Sequence, residues 1–508
     1  MIASTAEGCM KLAELLSGLS IELPAAAKAT EITGLTHDSR RASKGDLFVA
    51  VPGEKVDGAQ FAADAVSRGA SAVVAQQPLT LACPSIRVES ARKALALIAA
   101  NFYKRPADAL NLLAVTGTNG KTTTAYLLES ICAAGGASCG LIGTIQYKFA
   151  GRALPSTHTT PDPIELHRLL REMVEAGVDT AVMEVSSHAL AQDRVCGLTF
   201  RAAAFTNLSR DHLDYHKDVE DYFQAKRKLF LENLSAGGVA VVNGDDTYCN
   251  RIYTELRGVK RMAWKFSRQA NAEISAVNAE FTLAGIRATL KTPAGDIPVK
   301  SQLVGTHNLE NILAAAGVGL SAGFSRRDVQ DGIERLQGVP GRMERIDDRG
   351  VVAIVDYAHT DDALRRALES VRGVSKGRLI LVFGCGGDRD RGKRPLMGAA
   401  AAEGSDVAVI TSDNPRSEDP DEIIAQIAVG LERGGFRRIA QGKARAGEKG
   451  YLVEADRREA MALAASLAKP GDVILIAGKG HEAFQQVDGE SHPFDDRQQA
   501  AEALKARG

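Results

Sequence analysis

The chain has 508 residues, with 62 Lys and Arg against 63 Asp and Glu, so its formal net charge at pH 7 is −1. Without a net basic field it has no general attraction for nucleic acid or an anionic membrane surface, and we expect neither as a partner. Hydrophobic residues make up 45% and charged residues 25%, an ordinary balance for globular domains. At roughly 100–200 residues per domain, this length indicates two to four domains.

The cysteines predict no disulfide framework, because their number is odd and no CxxC pair occurs. The first twenty residues lack a basic stretch followed by a long apolar run. No apolar run approaches the ~20 residues that a membrane span needs. We therefore expect a cytoplasmic protein. The seven cysteines are Cys9, Cys83, Cys132, Cys139, Cys196, Cys249 and Cys385.

Short predicted strands alternate with helices up to about residue 108. Two of these strands are predicted at 46–51 and 72–75. The segment ends in Tyr103-Lys104-Arg105-Pro106, which has the composition of a linker. We expect a first domain over residues 1–108.

The middle of the chain reads as an α/β domain with a largely parallel sheet. A buried strand at 112–116 is followed by a Gly-rich turn and a predicted amphipathic helix over 122–132. Further apolar runs at 180–183 and 202–205 each end at polar residues. Strands that alternate with helices favour a parallel sheet. We expect this central domain to cover residues 109–338.

The pattern breaks near residues 338–342, and three more buried strands follow, at 379–383, 407–410 and 473–476. Each strand runs into a polar loop. In a parallel sheet these loops all lie at the carboxyl edge, where ligands usually bind. We expect a doubly wound, Rossmann-like α/β domain over residues 339–508.

Residues 116–123, with the sequence TGTNGKTT, lie between a predicted strand and a helix, as a phosphate-binding loop does. Glycines let the backbone approach phosphate oxygens, and the helix N-terminus favours anions. Lys121 would neutralise the β- and γ-phosphates of ATP, and Thr122 would ligate Mg²⁺. The usual GxxxxGK[ST] spacing requires glycine where this chain has Val115, so the loop is a shortened variant. The alternative is a Gly-rich turn with a surface lysine.

Three residues are candidates for a metal site beside this loop. Mg²⁺ prefers oxygen ligands, and Glu184 ends an apolar strand, so we favour metal binding over a structural carboxylate. Spacing alone makes His212 more typical of a solvated loop histidine. It also makes Lys226 more typical of an exposed helical lysine.

Several further motifs are distributed over the chain. They are Asp38-Ser39-Arg40, GTNGKTT at 117–123, Met183-Glu184-Val185-Ser186-Ser187-His188, residues 207–216, Ala225-Lys226, His307-Asn308-Leu309-Glu310-Asn311, Gly341-Arg342-Met343-Glu344, Asp356-Tyr357-Ala358-His359-Thr360, residues 386–395, DNPR at 413–416, and residues 478–482. With these motifs the chain resembles the Mur ligase family, which builds the peptide stem of peptidoglycan, over essentially its whole length. One departure is Asp361, where the family often has proline.

The resemblance implies three domains, which hold the UDP-linked substrate, ATP and the incoming amino acid in that order. It implies a substrate carboxylate that attacks the γ-phosphate of ATP, and an acyl phosphate that the amine of the amino acid then attacks. The family's lysine at the Lys226 position is carbamylated by CO₂ to N6-carboxylysine, an Mg²⁺ ligand. The resemblance also makes His212 a ligand of a second Mg²⁺. The implied catalytic residues are Lys121, Lys226 and His212, and the implied metal ligands are Thr122, Glu184, His212 and Lys226.

The resemblance also assigns three binding sets, and we expect the protein to be a monomer. ATP would contact Gly117, Thr118, Asn119, Gly120, Lys121, Thr122, Thr123, Asn308, Arg342 and Asp356. UDP-MurNAc-L-Ala-D-Glu would contact Ser39, Thr159, Thr160, Ser186, Gln192 and Arg194. The amino acid, meso-diaminopimelate, would contact Arg389, Asp413, Asn414, Pro415, Arg416, Gly478 and Glu482.

Each binding set has a plainer alternative. Asn308 is also suited to cap a helix start, and Arg342 and Asp356 could form an ordinary interdomain salt bridge. The serines and threonines are suited to cap turns. Arg389 and Arg416 could simply be residues of Gly-rich turns without a binding role. DNPR is the pattern of the diaminopimelate-adding members, and it favours that amino acid over lysine.

Three other functions compete with this prediction. A lysine-adding Mur ligase and folylpolyglutamate synthase share the phosphate loop and the acyl-phosphate chemistry. The DNPR motif and the loop at 478–482 argue against the synthase. A P-loop switch ATPase belongs to a different class, and it would not need three amino-acid-facing loops in a separate C-terminal domain.

Overall fold

The computed structural model describes residues 9–53, 56–269 and 271–507. Three large sheets follow one another along the chain, with four, eleven and six strands, and helices cover them. The α/β class predicted from the sequence is therefore confirmed. Residues 1–8, which belong to the segment predicted to lack a leader, lie outside the described residues. Among the described helices, none combines the length and the apolar character needed to cross a membrane.

The first sheet has four strands, which are all parallel. The strand predicted at 46–51 ends at Val49. The elements of this part are β1 (Met10–Lys11), α1 (Leu12–Leu15), α2 (Ala25–Lys28), β2 (Glu31–Ile32), β3 (Gly34–Thr36), β4 (Asp46–Val49), α3 (Ala62–Ser67), β5 (Ala72–Ala75), β6 (Ser85–Arg87) and α4 (Ala91–Phe102), with 3₁₀ turns at Ser39–Arg41, Gly58–Phe61 and Pro106–Ala109. Side chains alternate along a strand, so Leu47 and Val49 enter one buried cluster while Phe48 enters another on the opposite face.

The second sheet is mixed, with a parallel centre and antiparallel edges. Its elements are β7 (Asn111–Thr116), α5 (Lys121–Ala134), β8 (Cys139–Ile142), β9 (Gln146–Phe149), β10 (Arg152–Pro155), α6 (Pro163–Glu175), β11 (Thr180–Glu184), α7 (Ser187–Ala191), β12 (Phe200–Phe205), α8 (Val219–Leu231), β13 (Leu234–Asn243), α9 (Thr247–Gly258), β14 (Met262–Ser267), β15 (Ile274–Thr282), β16 (Gly285–Lys291), β17 (Ile297–Ser301), α10 (Thr306–Ala322) and α11 (Arg326–Arg335). The strands from β8 through β11, β7, β12, β13 and β14 to β15 pair in parallel. Hairpins extend both ends of the sheet.

Helix α5, which follows the phosphate loop, is buried on nearly all sides rather than amphipathic. All residues from Thr122 to Leu128 are buried, because α10 and α11 pack against α5 in addition to the strands β7, β8 and β11. The loop before it requires glycine. A Cβ at Gly117 would lie 1.9 Å from Thr206 Oγ1, and the φ of Gly120 is +84°.

The third sheet carries the predicted Rossmann-like pattern. This part of the chain contains β18 (Glu344–Asp348), β19 (Val351–Asp356), α12 (Asp361–Arg372), β20 (Leu379–Phe383), α13 (Lys393–Gly404), β21 (Val407–Ile410), α14 (Pro420–Arg433), α15 (Gln441–Ala446), β22 (Gly450–Val453), α16 (Arg457–Leu467), β23 (Val473–Ala477), β24 (Phe484–Val487), β25 (Glu490–Pro493) and α17 (Asp496–Ala506). Strands β24 and β25 form a separate two-stranded hairpin. The strands β19, β23, β20, β21 and β22 are parallel neighbours, and β18 is an antiparallel edge. Buried apolar residues cover both faces.

The proposed domain boundaries fall in the intervals between consecutive sheets. The first sheet ends at Arg87 and the second begins at Asn111, while the second ends at Ser301 and the third begins at Glu344. Boundaries at 108/109 and 338/339 stay predictions.

Candidate active site

A cleft of about 550 Å³ opens between the carboxyl edge of the central sheet and the C-terminal part of the chain. It brings together most of the predicted ATP, metal and UDP-substrate residues. Those that line it are Thr118, Asn119, Gly120, Lys121, Thr122, Thr123, Thr159, Thr160, Ser186, Arg194, His212, Lys226, Asn308, Arg342 and Asp356. Ser39 lies outside this lining, in a 3₁₀ turn of the first sheet region.

The phosphate loop is held by the segment that follows β12. The backbone N–H of Asn119 donates to Asn207 Oδ1 at 2.9 Å, and the N–H of Thr118 donates to the Asn207 carbonyl at 2.9 Å. The Lys121 ammonium donates to the carbonyls of Gly117 and Thr118. Sequence reasoning gave Asn207 no role of its own, although it opens the motif at 207–216.

Glu184 is fully buried at the end of β11, beside the start of α5. Its Oε2 accepts from the hydroxyl of Thr122 at 3.0 Å and from the hydroxyl of Thr144 at 2.9 Å. The backbone N–H of Thr144 donates to Oε1 at 2.9 Å. Thr144 was missed by sequence reasoning, because it lies in a short turn after β8 without a recognisable motif. Hard oxygen ligands thus meet next to the loop, which suits Mg²⁺.

Lys226 lies on α8 and points inward, with 1% of its surface exposed. Its ammonium nitrogen lies 2.9 Å from the Gly117 carbonyl and 4.6 Å from the centre of the Tyr222 ring. Burial, with the nearby Lys121 charge, holds the pKa of Lys226 well below its usual value. Lys226 does lie on a helix, but the alternative prediction that its side chain is exposed is wrong. A neutral amine is the form that reacts with CO₂.

His212 has a left-handed backbone conformation, with φ of 53°. Its ring packs edge-on against His188 at a centroid distance of 4.9 Å. Burial lowers the pKa of His212 to about 4, against the opposing effect of Asp211. The ring is therefore neutral at pH 7, which is the form that binds metals. Within the described residues, no group of three or more His, Cys, Asp or Glu side chains is arranged to hold a metal, so phosphate, hydroxyl or carbamate oxygens would have to complete any site.

The predicted UDP-substrate residues of the central sheet form a connected group. The hydroxyl of Thr160 donates to the Glu184 carbonyl at 2.8 Å and accepts from the Ser186 N–H at 3.0 Å. Arg194 donates to the Thr160 carbonyl at 2.7 Å and to Gln192 Oε1. Ser186 also caps α7, because its hydroxyl accepts from the Ala189 N–H. The alternative prediction, that these serines and threonines act as caps, therefore accounts for one of the contacts of Ser186. Thr159 contacts Thr144.

Three predicted ATP residues face the loop from the far side of the cleft. Asn308 donates to the Val304 carbonyl at 2.7 Å and accepts from Asn311, so its amide already stabilises the start of α10. Arg342 lies 3.5 Å from the Thr122 hydroxyl and stacks on the Tyr357 ring. Asp356 accepts from two backbone N–H groups, of Met343 and Ala358, rather than forming a salt bridge.

The predicted amino-acid residues lie in the loops after β20, β21 and β23. Asn414 donates to Glu482 Oε2 at 2.9 Å. Arg416 is half-buried with φ of 56°, and it donates to the Gly387 carbonyl at 2.7 Å. Burial and the neighbouring Arg389 lower the pKa of Arg416. A Cβ at Gly478 would lie 2.5 Å from Asp413 Oδ2, so these two loops pack tightly. The backbone carbonyls of Asp413 and Pro415 lie against Gln485 and Gly387.

Comparison with known families gives matches to three successive parts of the chain. Residues 31–103 match the model described as Mur ligase family, catalytic domain. Residues 115–319 match the Mur ligase middle domain, and residues 341–480 match the Mur ligase, glutamate ligase domain. The chain therefore belongs to the Mur ligase family.

Its relatives include UDP-N-acetylmuramoyl-L-alanyl-D-glutamate–2,6-diaminopimelate ligases. The protein of that name from Solibacter usitatus (strain Ellin6076) is 46% identical, with 98% of this chain and 99% of the relative covered. That from Geobacter metallireducens (strain ATCC 53774 / DSM 7210 / GS-15) is 43% identical, with 98% of each covered. A solved structure of a ligase with the same name is 34% identical, with a TM-score of 0.70, covering 98% of this chain and 99% of that one. Mycobacterium tuberculosis folylpolyglutamate synthase is 18% identical, with a TM-score of 0.62 over 76% of this chain and 92% of that one, and it shares the fold alone.

Proposed function

We propose that this chain is an ATP-dependent ligase that joins meso-2,6-diaminopimelate to UDP-N-acetylmuramoyl-L-alanyl-D-glutamate in peptidoglycan synthesis. The observation that carries the proposal is full-length similarity, at 46% identity, to a relative with this name. The geometry agrees with it, since the phosphate loop and the predicted amino-acid loops follow parallel strands of two separate sheets.

The first chemical step is attack of the substrate carboxylate on the γ-phosphate of ATP. The γ-phosphoryl group of ATP is transferred to the carboxylate, ADP leaves, and the product is an acyl phosphate. Such a transfer depends on positioning and on neutralising charge. Lys121 and the loop N–H groups perform both tasks, and the clamp from Asn207 fixes the loop for them. The amine then attacks the acyl carbon, and phosphate leaves with the bonding electrons.

Thr122, Glu184, His212 and a carbamylated Lys226 would hold Mg²⁺, which supplies positive charge to the phosphate oxygens. The hydroxyl and carboxylate oxygens of Thr122 and Glu184 already lie 3.0 Å apart. The depressed pKa of Lys226 favours the carbamate, because it increases the fraction of unprotonated amine, the form that reacts with CO₂. Carbamylation turns the buried amine into an anion with two oxygens, and an anion is what a metal site needs.

The UDP-linked substrate is held by Ser39 at its far end and by Thr159, Thr160, Ser186, Gln192 and Arg194 nearer the reacting carboxylate. Arg194 is half-buried beside the cleft, and arginine suits bidentate pairing with carboxylate or phosphate. Asn308, Arg342 and Asp356 contact ATP from the side of α10 and β19. Arg342 lies between α11 and β18, outside the central sheet, and its side chain reaches the Thr122 hydroxyl. This contact couples ATP binding to the position of the C-terminal domain.

The test is ADP release by the purified protein with ATP and Mg²⁺, with and without each of the other two substrates. A ligase of this kind releases ADP at a substantial rate only when the UDP-linked dipeptide and the diamino acid are both present. Equal ADP release without either of them would instead support a P-loop switch ATPase. Activity with a folate and glutamate would support the folylpolyglutamate synthase alternative.

A further inference from the structure

We propose that Lys479 is a positioning residue that fixes the acceptor groups for the far end of the incoming diamino acid and adds positive charge beside them. The inference rests on the proposed function and deepens it. Lys479 has 0% of its side chain exposed, although lysine is rarely fully buried without partners. It follows β23, in the loop that also carries Gly478 and Glu482.

Lys479, Asn414 and Glu482 form a closed triangle of hydrogen bonds. The Lys479 ammonium donates to Asn414 Oδ1 at 3.0 Å and to Glu482 Oε2 at 3.1 Å. Asn414 Nδ2 donates to the same Glu482 Oε2 at 2.9 Å. The backbone N–H of Gln486 also donates to Asn414 Oδ1, at 3.0 Å. Two donors on Oδ1 therefore fix the orientation of the Asn414 amide, since a flipped amide would turn its N–H₂ toward them.

The triangle leaves one oxygen of Glu482 for a ligand. Oε2 accepts two hydrogen bonds, whereas Oε1 accepts none from the residues that the structure describes. The Glu482 side chain keeps 23% of its surface exposed. An ammonium group that reaches the loop would therefore meet Oε1, in an orientation fixed by the two bonds on Oε2.

Lys479 also adds positive charge beside these acceptor groups. It contributes one cation next to Arg389 and Arg416, near the carboxylates of Asp388, Asp413 and Glu482. Diaminopimelate with its attacking amine uncharged carries two carboxylates and one ammonium, so its net charge is −1. Lysine in the same state carries one of each and is neutral. Each cation near these loops therefore favours diaminopimelate over lysine, and loss of Lys479 would remove one of them.

The test compares Lys479→Met with the wild type for each substrate separately. Hydrogen bonds to charged groups are worth enough that we expect the KM for diaminopimelate to rise by about tenfold to a hundredfold. The KM values for ATP and for the UDP-linked dipeptide should stay unchanged, and kcat should fall much less. The preference for diaminopimelate over lysine should also fall, which a merely structural role would not produce.

A double-mutant cycle with Glu482→Gln separates positioning from general destabilisation. If Lys479 acts through Glu482, the double variant should have the diaminopimelate KM of Glu482→Gln alone. In that background Lys479 has no Glu482 carboxylate left to position, so its loss adds nothing. The double variant leaves no unpaired carboxylate in the triangle, so its comparison with Glu482→Gln remains available even where Lys479→Met alone fails to fold. A double variant with a diaminopimelate KM well above that of Glu482→Gln would overturn the inference.

Arg378→Met is the matched control. Arg378 pairs with the buried Asp472 at the opposite edge of the same sheet, at 2.8 Å, so its loss should lower thermal stability without changing the KM for diaminopimelate. An unchanged diaminopimelate KM in Lys479→Met, or an equal rise in all three KM values, would refute the role of Lys479. A wild-type protein that ligates no diamino acid would instead contradict the proposed function.

Discussion

The hydroxyl of Thr122 donates to Glu184 Oε2 across 3.0 Å, joining the first turn of the phosphate-loop helix to the end of a neighbouring parallel strand. Both residues are buried. Strands β11 and β7 pair in register, with Glu184 opposite Val115, so the carboxylate reaches the helix start without strain on either strand. The hydroxyl keeps its lone pairs while it donates its hydrogen, so Thr122 can ligate Mg²⁺ with this hydrogen bond in place.

Glu184→Gln tests this pair. The amide keeps the size of the side chain but removes the negative charge, so we expect the Mg²⁺ concentration for half-maximal activity to rise by at least about tenfold. The matched control is Glu129→Gln, which removes a carboxylate paired with Lys148 outside the cleft. An unchanged Mg²⁺ dependence in Glu184→Gln would show that this carboxylate is structural.

Lys226→Ala should lower the ligation rate by about a hundredfold to a thousandfold, in line with the loss of a group that stabilises charge in the reaction. A short carboxylic acid should restore part of the rate by supplying the missing oxygens. Lys228→Ala, on the same helix but about a third exposed, is the control and should keep its rate. Carbon NMR with ¹³C-bicarbonate should show a carbamate signal in the wild type that Lys226→Ala lacks. Full activity of Lys226→Ala would exclude the carbamate role.

Arg416→Ala should reduce kcat/KM for diaminopimelate by about a hundredfold, because it removes a charged partner from a half-buried site. The KM for ATP should change little, since the phosphate loop lies on the other sheet. Arg391→Ala removes an exposed arginine from a neighbouring loop and is the control. If both variants behave alike, Arg416 only stabilises its turn through the Gly387 carbonyl.

His167 makes the fold sensitive to acid. Its ring is buried on α6 with no hydrogen-bond partner among the described residues, and burial lowers its pKa to about 4 from an ordinary 6.5. The unfolded chain therefore binds the proton more readily, so stability is full above pH 6.5 and declines as the pH falls toward 4. For this group alone the loss between pH 7 and pH 5 is about 2 kcal/mol.

His167→Leu should remove most of that loss when urea unfolding is measured at pH 7 and pH 5. His37→Leu is the control, because His37 is exposed. An equal loss of stability on acidification in His167→Leu and the wild type would show that other groups cause the acid sensitivity.

Local patterns in the sequence predicted the elements that carry chemistry. The strand, turn and helix around Lys121 follow from a buried run, two glycines and a Lys-Thr pair. The three C-terminal loops lie at one edge because their strands are parallel neighbours. The hairpins at the edges of the central sheet were not predicted, because their pairing depends on partners distant from any motif.

The side-chain environments were harder to predict than the elements. Helix α5 was predicted as amphipathic, but two later helices, α10 and α11, also pack against it. The burial of Lys226 cannot be read from its own helix, since the Gly117 carbonyl that it meets lies 109 residues earlier. The roles of Asn207, Thr144 and Lys479 likewise depend on contacts between separate loops.

The most direct measurement is a ligation assay of the wild-type protein with ATP, Mg²⁺ and UDP-N-acetylmuramoyl-L-alanyl-D-glutamate, with the product identified by mass spectrometry. Meso-diaminopimelate and L-lysine are supplied separately and then in competition. We predict the tripeptide product with diaminopimelate, formed with a much higher kcat/KM than the lysine product. Equal use of lysine would contradict the specificity while leaving a ligase, and no amide product with either amino acid would contradict the proposed function itself.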